Sequence, residues 1–323
     1  MTFRPRNLES LGSQIAVPIL KDEDGYMGRE CPSPDCLGYF KITLGTGLTG
    51  ENLPCHCAYC GHVADQNQFF TQEQIEYAKS VALKKIADAI RKDLKGLEFN
   101  HPPKGPLGIG ISLTLKEGRP IPIRHYREKR LETSVICDDC TLHYAIYGLF
   151  GFCPDCGAHN SLEILAKNLD LVLKQLELAS TMDDQDFRRH LIEDALENCV
   201  SSFDGFGRET CRIRAQHSTN PGKADSISFQ NPKRFAARLL DLFGIDIKSG
   251  VSPADWRAIH VGFMKRHVLS HRSGVVDAQY IAETSDSSAI IGRRVPLRAV
   301  EVRDLAGLLR PLGHSLVATL PTP

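Results

Sequence analysis

One arginine and two histidines fall within six residues in the last quarter of the chain: Arg266, His267 and His271, in the stretch FMKRHVLSHRSGVVD. A histidine can transfer a proton near neutral pH, and the planar guanidinium group of arginine fits a phosphate. This metal-free combination suits RNA cleavage, because the 2′-hydroxyl is a built-in nucleophile and the protein supplies acid–base assistance and charge stabilisation. A basic helix end has the same composition, and His260, Met264, His267 and His271 also form a stripe typical of a packed helix face.

A helix with clear end signals carries these residues. Its ends have residues typical of caps: Ser252 as N-cap, Pro253 at the first position, Asp255 in a capping-box-like place, and Gly274 just after the helix. His271 is then expected in the last turn, with His267 one turn earlier on the same face. Arg266 is offset from His271 by about 140° at about 100° per residue, so the two side chains can flank one groove. The helix end favours a protonated His271, whereas Arg266 and Arg272 oppose it.

Most of the eleven cysteines lie in two clusters in the first half of the chain. The second cluster reads ICDDC, twelve intervening residues, then CPDCG, and its cysteines are Cys137, Cys140, Cys153 and Cys156. Each C-x-x-C pair can supply two thiolates to a tetrahedral zinc ion. Gly157 suits the tight turn of such a knuckle, and the segment TLHYAIYGLFGF between the pairs predicts a short β-hairpin.

The first cluster has less regular spacing. The pairs are a C-x4-C pair followed by a C-x-x-C pair, which gives the predicted metal ligands Cys31, Cys36, Cys57 and Cys60. Cys55 and His62 compete for a ligand position, and CAYCG is preferred because it matches CPDCG in form.

Both clusters resemble zinc ribbons, which implies two structural Zn²⁺ ions. Sites made only of cysteine leave no open coordination position, so metal catalysis is not expected there and no cofactor is predicted for catalysis. The ions can simply stabilise small sheets that bury too little surface to fold alone, or the ribbons can dock nucleic acid or a protein. The sequence leaves both alternatives open.

Length and composition describe an ordinary globular chain of 323 residues, with 42% hydrophobic and 24% charged residues. Formal net charge is zero, so attraction to a polyanion has to come from a local patch. No apolar run reaches the length of a membrane span, and the first residues lack the apolar core of a signal peptide. We therefore expect a cytoplasmic protein without a membrane partner, in which clustered cysteines bind metal rather than form disulfides.

The chain divides into three predicted parts of an α+β multidomain protein. Residues 1–100 contain the first ribbon and an amphipathic helix with Thr71 as N-cap and Gln74 in the capping-box position. Residues 101–160 contain a strand, ISLTLKEG, and the second ribbon. Residues 161–323 predict an all-helical bundle of five main helices, with Gly205 and Gly207 bending or ending the second of them.

The last part resembles the HEPN superfamily, whose motif is an arginine, four to six residues, then a histidine. Arg266 and His271 are separated by four residues, and His267 fills the place of the polar residue that often follows the arginine. The stretches RFAARLLDLFGIDI, WRAIHVGFMKRHVLSHRSGVVDAQYI and GRRVPL together look like a bacterial group related to RiboL-PSP-HEPN proteins. The resemblance covers roughly residues 161–323 and does not extend to the ribbons.

The resemblance implies a metal-independent endoribonuclease with Arg266 and His271 as catalytic residues and His267 in support. Such domains usually form homodimers in which two motifs face each other, and the product carries a 2′,3′-cyclic phosphate. Many members act as toxins or in defence against phage, whereas some only bind RNA or partners.

Two alternatives of other classes stay open: a non-catalytic nucleic-acid-binding protein, and a zinc-stapled module that binds protein only. In the enzyme the ribbons would recognise a substrate, trigger or partner, and in the nucleic-acid-binding alternative the bundle dimerises and the ribbons bind nucleic acid. Arg293 and Arg294 can extend a basic RNA surface or lie in a solvated loop.

Overall fold

The computed structural model describes residues 4–50, 53–102, 107, 109–116, 118, 120–131 and 133–322. The chain forms two compact units, divided between Ala158 and His159. Small antiparallel sheets occupy the N-terminal half and helices the C-terminal half, which makes the chain α+β. Each unit is described by itself.

The first unit contains eight strands among its described residues: β1 Met27–Glu30, β2 Tyr39–Ile42, β3 Pro54–His56, β4 Val63–Asp65, β5 Phe99–His101, β6 Ile111–Leu113, β7 Thr133–Ile136 and β8 His143–Ile146. Four of them form one antiparallel sheet in the order β1-β2-β8-β7, and β3–β4 and β5–β6 form separate hairpins. The β2–β8 pairing, with Lys41 opposite Ala145 and Ile42 opposite Tyr144, joins the two cysteine-rich segments. Joining the two segments in one four-stranded sheet adds stability, because an isolated two-stranded hairpin is only marginally stable.

Two helices complete the described part of the first unit, α1 Arg6–Glu9 and α2 Gln72–Lys95, with a 3₁₀ turn at Gln66–Phe69. The predicted capping box at the start of α2 is confirmed: the Gln74 N–H donates to the Thr71 hydroxyl, and the Thr71 N–H donates to the Gln74 side chain. Asp93 near the end of α2 accepts hydrogen bonds from Asn7 and from the Leu8 N–H, which fastens α1 to α2.

Seven helices make up the described part of the second unit: α3 Ser161–Thr181, α4 Gln185–Arg212, α5 Pro221–Asp225, α6 Pro232–Phe243, α7 Pro253–His271, α8 Ala278–Thr284 and α9 Ala299–Thr319. The sequence predicts five, and the two further helices, α5 and α8, are short and lie in stretches predicted as loops. A 3₁₀ turn, Ala215–His217, separates α4 from α5. Aromatic rings of four segments meet in the core, where Phe203 contacts Phe229, Phe235 and Phe263.

The sequence predicts that Gly205 and Gly207 bend or end the second helix, and the ending is wrong, because α4 is a single helix through both. Gly207 has a packing reason instead. A Cβ atom there would lie 2.5 Å from the ring of Phe229, so only glycine lets this ring approach the helix. Gly205 has no such neighbour.

Candidate functional site

The predicted start of α7 is confirmed. The Asp255 N–H donates to the Ser252 hydroxyl, and Pro253 occupies the first turn. The helix ends at His271, and the first left-handed residue beyond it is Ser273 (φ 52°), one position before the predicted Gly274 (φ 77°). Gly274 still helps to close the helix, because its N–H donates to the Val268 carbonyl at 3.0 Å.

The predicted stripe on α7 consists of His260, Met264, His267 and His271, and its members lie in two different environments. His260 and Met264 are buried, at 6% and 7% exposure, whereas His267 and His271 are exposed. The two exposed rings lie 4.9 Å apart between centroids at an angle of 51°. Packing and surface exposure therefore occur along one face of the same helix, and the two accessible members of the stripe are the histidines of its last two turns.

Arg266, His267 and His271 all line one cavity of about 630 Å³ in the second unit. The cavity is strongly basic, since its lining includes five lysines and arginines and a single carboxylate: Lys223, Lys233, Arg234, Arg238 and Arg266, with Glu283. Lys233 pairs with Glu283. Within the described part of the chain, Lys223, Arg234 and Arg238 make no salt bridge, so this neutral chain has the local positive patch that binding a polyanion requires.

Glu197 on α4 binds the guanidinium group of Arg266. The Nε and Nη2 atoms of Arg266 donate to the two carboxylate oxygens of Glu197 at 2.8 and 2.6 Å. The hydroxyl of Ser270 donates to the same carboxylate at 2.6 Å. These hydrogen bonds lower the pKa of Glu197 against the raising effect of its burial. The two bonds occupy one edge of the guanidinium group and leave Nη1 for another acceptor.

Two histidines of α7 have pKa values below the ordinary 6.5. Partial burial, followed by the charges of His271, Arg272 and Arg266, lowers the pKa of His267. Burial and then Lys233 lower the pKa of His260. Both shifts favour neutral imidazole at neutral pH, and a neutral imidazole is the form that accepts a proton.

Four cysteines of the second cluster come together as the sequence predicts. The Sγ atoms of Cys137, Cys140, Cys153 and Cys156 all lie within 4.8 Å of one another. The Cys137–Cys156 and Cys140–Cys153 sulfur separations are 3.6 and 3.4 Å. A tetrahedral Zn²⁺ with Zn–S bonds of about 2.3 Å spaces its sulfurs about 3.8 Å apart, so the group could hold a metal ion of this kind.

The first cluster assembles Cys31, Cys36, Cys57 and Cys60 in the same way, again within 4.8 Å. The Cys31–Cys60 and Cys36–Cys57 sulfurs are both 3.7 Å apart. The two competing residues lie outside this group. Cys55 is buried with its sulfur 3.8 Å from the His56 carbonyl, and His62 uses its backbone carbonyl to accept the Cys57 N–H.

All four knuckles of the two clusters share one backbone feature. The residue after the second cysteine of each pair has positive φ: Leu37 (48°), Gly61 (70°), Thr141 (64°) and Gly157 (72°). The glycines predict this turn at two knuckles, and the other two adopt it with ordinary residues.

Burial raises the pKa of Cys31 to about 11 and that of Cys137 to about 12. These thiols therefore need a bound cation to lose their protons at neutral pH.

Several other sequence-derived candidates lie outside the cavity. Arg294 binds the carboxylate of Glu193, and Asp277 accepts the Tyr280 N–H at the start of α8. Arg293 and Arg294 are both exposed but do not line the cavity. Cys199 and Cys211 are fully buried in the helical core, as predicted.

Five charged residues that line the cavity were missed from the sequence, Lys223, Lys233, Arg234, Arg238 and Glu283, and so was Glu197, which binds Arg266. Arg234 and Arg238 have a four-residue spacing that places them on one helix face, so a signal was present for them. Glu197 had none, because its partner lies 69 residues away in the chain.

No protein-family model, no curated protein and no solved structure matches this chain. Among the residues described, no helix is both long and apolar enough to cross a membrane.

Proposed function

We propose that this chain is a metal-independent endoribonuclease of the HEPN type. The observation that carries the proposal is the shared cavity: Arg266, His267 and His271 line one basic depression, together with three cations that make no salt bridge within the described chain. A depression of this charge attracts a polyanion. The two exposed histidines add the proton-transfer groups that a simple anion site does not need.

The proposed reaction uses the nucleophile of the substrate. The 2′-hydroxyl oxygen attacks the adjacent phosphorus and loses its proton to a histidine, His271 in our assignment. The bond from phosphorus to the 5′-oxygen breaks, and this oxygen takes up the proton that the His271 imidazole has accepted. The products are a 2′,3′-cyclic phosphate and a 5′-hydroxyl end, and no metal or redox partner is consumed.

Arg266 has the role of charge stabilisation in this proposal. Its Nη1 edge is free of the Glu197 carboxylate and can donate to the phosphate oxygens, whose charge grows in the transition state. His267 lies beside His271, and we assign to it the supporting role of the polar residue that follows the arginine in the HEPN motif. We further propose that two copies of the helical unit pair, so that two Arg266–His271 sets form one composite site.

The two tetra-cysteine groups are proposed to hold structural Zn²⁺. Eight thiols gathered in two groups of four, with sulfur spacings close to those of a tetrahedral site, fit this ion. A closed site of four cysteines stabilises its surroundings and offers no coordination position to a substrate, so the chemistry is assigned to the helical unit.

The deciding experiment incubates the purified full chain with RNA in magnesium-free buffer, beside Arg266→Ala and His271→Ala. Cleavage by the wild type that both variants lose, with 2′,3′-cyclic phosphate ends, supports the proposal. Glu193→Gln is the control, because it disrupts the ion pair between Glu193 on α4 and Arg294, neither of which lines the cavity.

A chelator is tested in a separate arm of the experiment, because it can remove structural Zn²⁺ from the ribbons as well as bind free metal in the buffer. Tight RNA binding without cleavage of any RNA class would overturn the enzyme and favour a binding module. A monomer in solution that cleaves at full rate would overturn the composite site alone.

A further inference from the structure

The cavity has a second wall that the proposed chemistry does not use. Lys223 on α5 and Arg234 and Arg238 on α6 line it, and all three side chains are exposed. Arg234 and Arg238 are one turn apart, which separates them by about 6 Å along the helix axis. We call these three residues the α5–α6 wall.

Cations that share one wall repel one another, and this repulsion destabilises a fold. A neighbouring carboxylate would reduce the repulsion. The single carboxylate that lines the cavity, Glu283, pairs with Lys233. Within the described chain the three wall cations are left without a salt bridge. Such a cluster is suited to an anionic ligand with several charges.

The wall is also held in a defined position. Buried Asp204 on α4 accepts hydrogen bonds from the Phe229 N–H at 2.6 Å and from the Gln230 side chain at 3.2 Å. Asn231 caps α6 by accepting the Arg234 N–H at 3.1 Å. The start of α6, which carries Arg234 and Arg238, is therefore fixed by these hydrogen bonds.

We propose that the α5–α6 wall binds the phosphates of nucleotides next to the cleaved bond in single-stranded RNA. This inference rests on the proposed function of Arg266 and His271 and extends it to the substrate class. A cavity of about 630 Å³ falls within the size range of pockets for compact ligands, about 300–1,000 Å³. A single strand is assigned because a short flexible segment can bend to follow a cavity of this size, whereas a duplex is rigid.

The test measures binding separately from cleavage. In a His271→Ala background, the Kd of a labelled single-stranded RNA is measured across a salt series for the double variant Arg234→Gln/Arg238→Gln. We expect binding at low salt to weaken about tenfold or more, and the slope of log K against log salt to fall by about 0.7 for each phosphate that the variant no longer binds. With active protein, the same double variant raises KM.

Two controls complete the design. Arg303→Gln removes an exposed arginine of α9 outside the cavity and leaves the Kd and the salt slope unchanged. Arg234→Lys/Arg238→Lys keeps both charges and retains most of the affinity, which separates charge from folding.

The outcomes distinguish the two proposals. Cleavage that depends on Arg266 and His271, with Kd, KM and salt slope unchanged in the double glutamine variant, overturns the wall and leaves the enzyme intact. Absence of cleavage, with RNA binding that still depends on the wall, overturns the enzyme and leaves the wall as an RNA site. Duplex RNA bound as tightly as the single strand overturns the assignment of substrate class.

Discussion

Arg266 on α7 and Glu197 on α4 form a two-hydrogen-bond ion pair, with Nε–Oε2 and Nη2–Oε1 distances of 2.8 and 2.6 Å. The arginine side chain is only 11% exposed, so its guanidinium group has little freedom to choose another orientation. Glu197 thereby fixes which edge of Arg266 faces the cavity. In the proposed enzyme, Glu197 is a positioning residue that acts through Arg266.

Glu197→Gln is expected to lower kcat about 10- to 100-fold, because a hydrogen bond to a charged group contributes about 1–3 kcal/mol and about 1.4 kcal/mol is a factor of ten. The measurement is single-turnover RNA cleavage, with thermal unfolding of each variant alongside. Glu193→Gln, which disrupts the exposed pair with Arg294, is the control and should cleave like the wild type.

A double-mutant cycle identifies the route of this effect. If Glu197 acts through Arg266, its substitution adds almost nothing to the loss already caused by Arg266→Ala. Fully additive losses would contradict the positioning role.

Metal content tests the two cysteine groups. The purified chain is expected to hold two zinc equivalents, measured by elemental analysis. Cys57→Ala and Cys140→Ala should each lose one equivalent, because each removes a ligand from a different group. Cys55→Ala is the matched control, since this buried cysteine lies outside both groups and should leave two equivalents bound. One equivalent lost from Cys55→Ala would contradict the ligand assignment.

Gly207 and Gly205 should respond in opposite directions to the same substitution. Gly207→Ala places a methyl group 2.5 Å from the Phe229 ring, and overpacking of this kind costs about 1–3 kcal/mol. Gly205→Ala meets nothing within 4 Å and should stabilise the helix by about 0.5–1 kcal/mol. Urea unfolding of both variants measures the difference, and a Gly207→Ala variant as stable as the wild type would contradict the packing explanation.

The environment of His260 predicts that the free energy of unfolding falls at acidic pH. Burial, followed by the charge of Lys233, lowers its pKa below the ordinary 6.5. Its Nε2 faces the Glu283 carbonyl at 3.2 Å, and its Nδ1 has no hydrogen-bond partner among the described residues. Protonation would bury a second N–H without an acceptor, so the unfolded chain binds this proton more readily.

The stability contributed by neutral His260 is therefore complete above about pH 6.5 and is lost as the pH falls through the lower pKa of the folded state. One such proton accounts for at most about 1.4 kcal/mol per pH unit. Urea unfolding between neutral and mildly acidic pH should show a smaller loss for His260→Gln than for the wild type. Exposed His190→Gln should follow the wild type, and an unchanged pH dependence in His260→Gln would refute the prediction.

Local signals in the sequence predicted local structure well. Thr71 with Gln74, Asn231 with Pro232, and Ser252 with Pro253 each start a helix where expected, because a cap satisfies backbone groups within three residues of itself. The cysteine spacings likewise predicted both four-sulfur groups, since two thiols of each knuckle are close in the chain. The predicted helix end at Gly205 and Gly207 was wrong: glycine usually weakens a helix, but α4 continues through both residues, and at Gly207 the helix packs against the Phe229 ring.

The sequence by itself determined where α2, α6 and α7 start, the cysteine groups and the close spacing of Arg266, His267 and His271. Only the tertiary structure decided that His260 is buried while His267 and His271 are exposed, and that Glu197 binds Arg266. It alone placed the α5–α6 wall on the cavity that Arg266 lines. The physical reason is range: caps and knuckles form between neighbours in the chain, whereas charge pairing across 69 residues and a cavity wall depend on how whole helices pack.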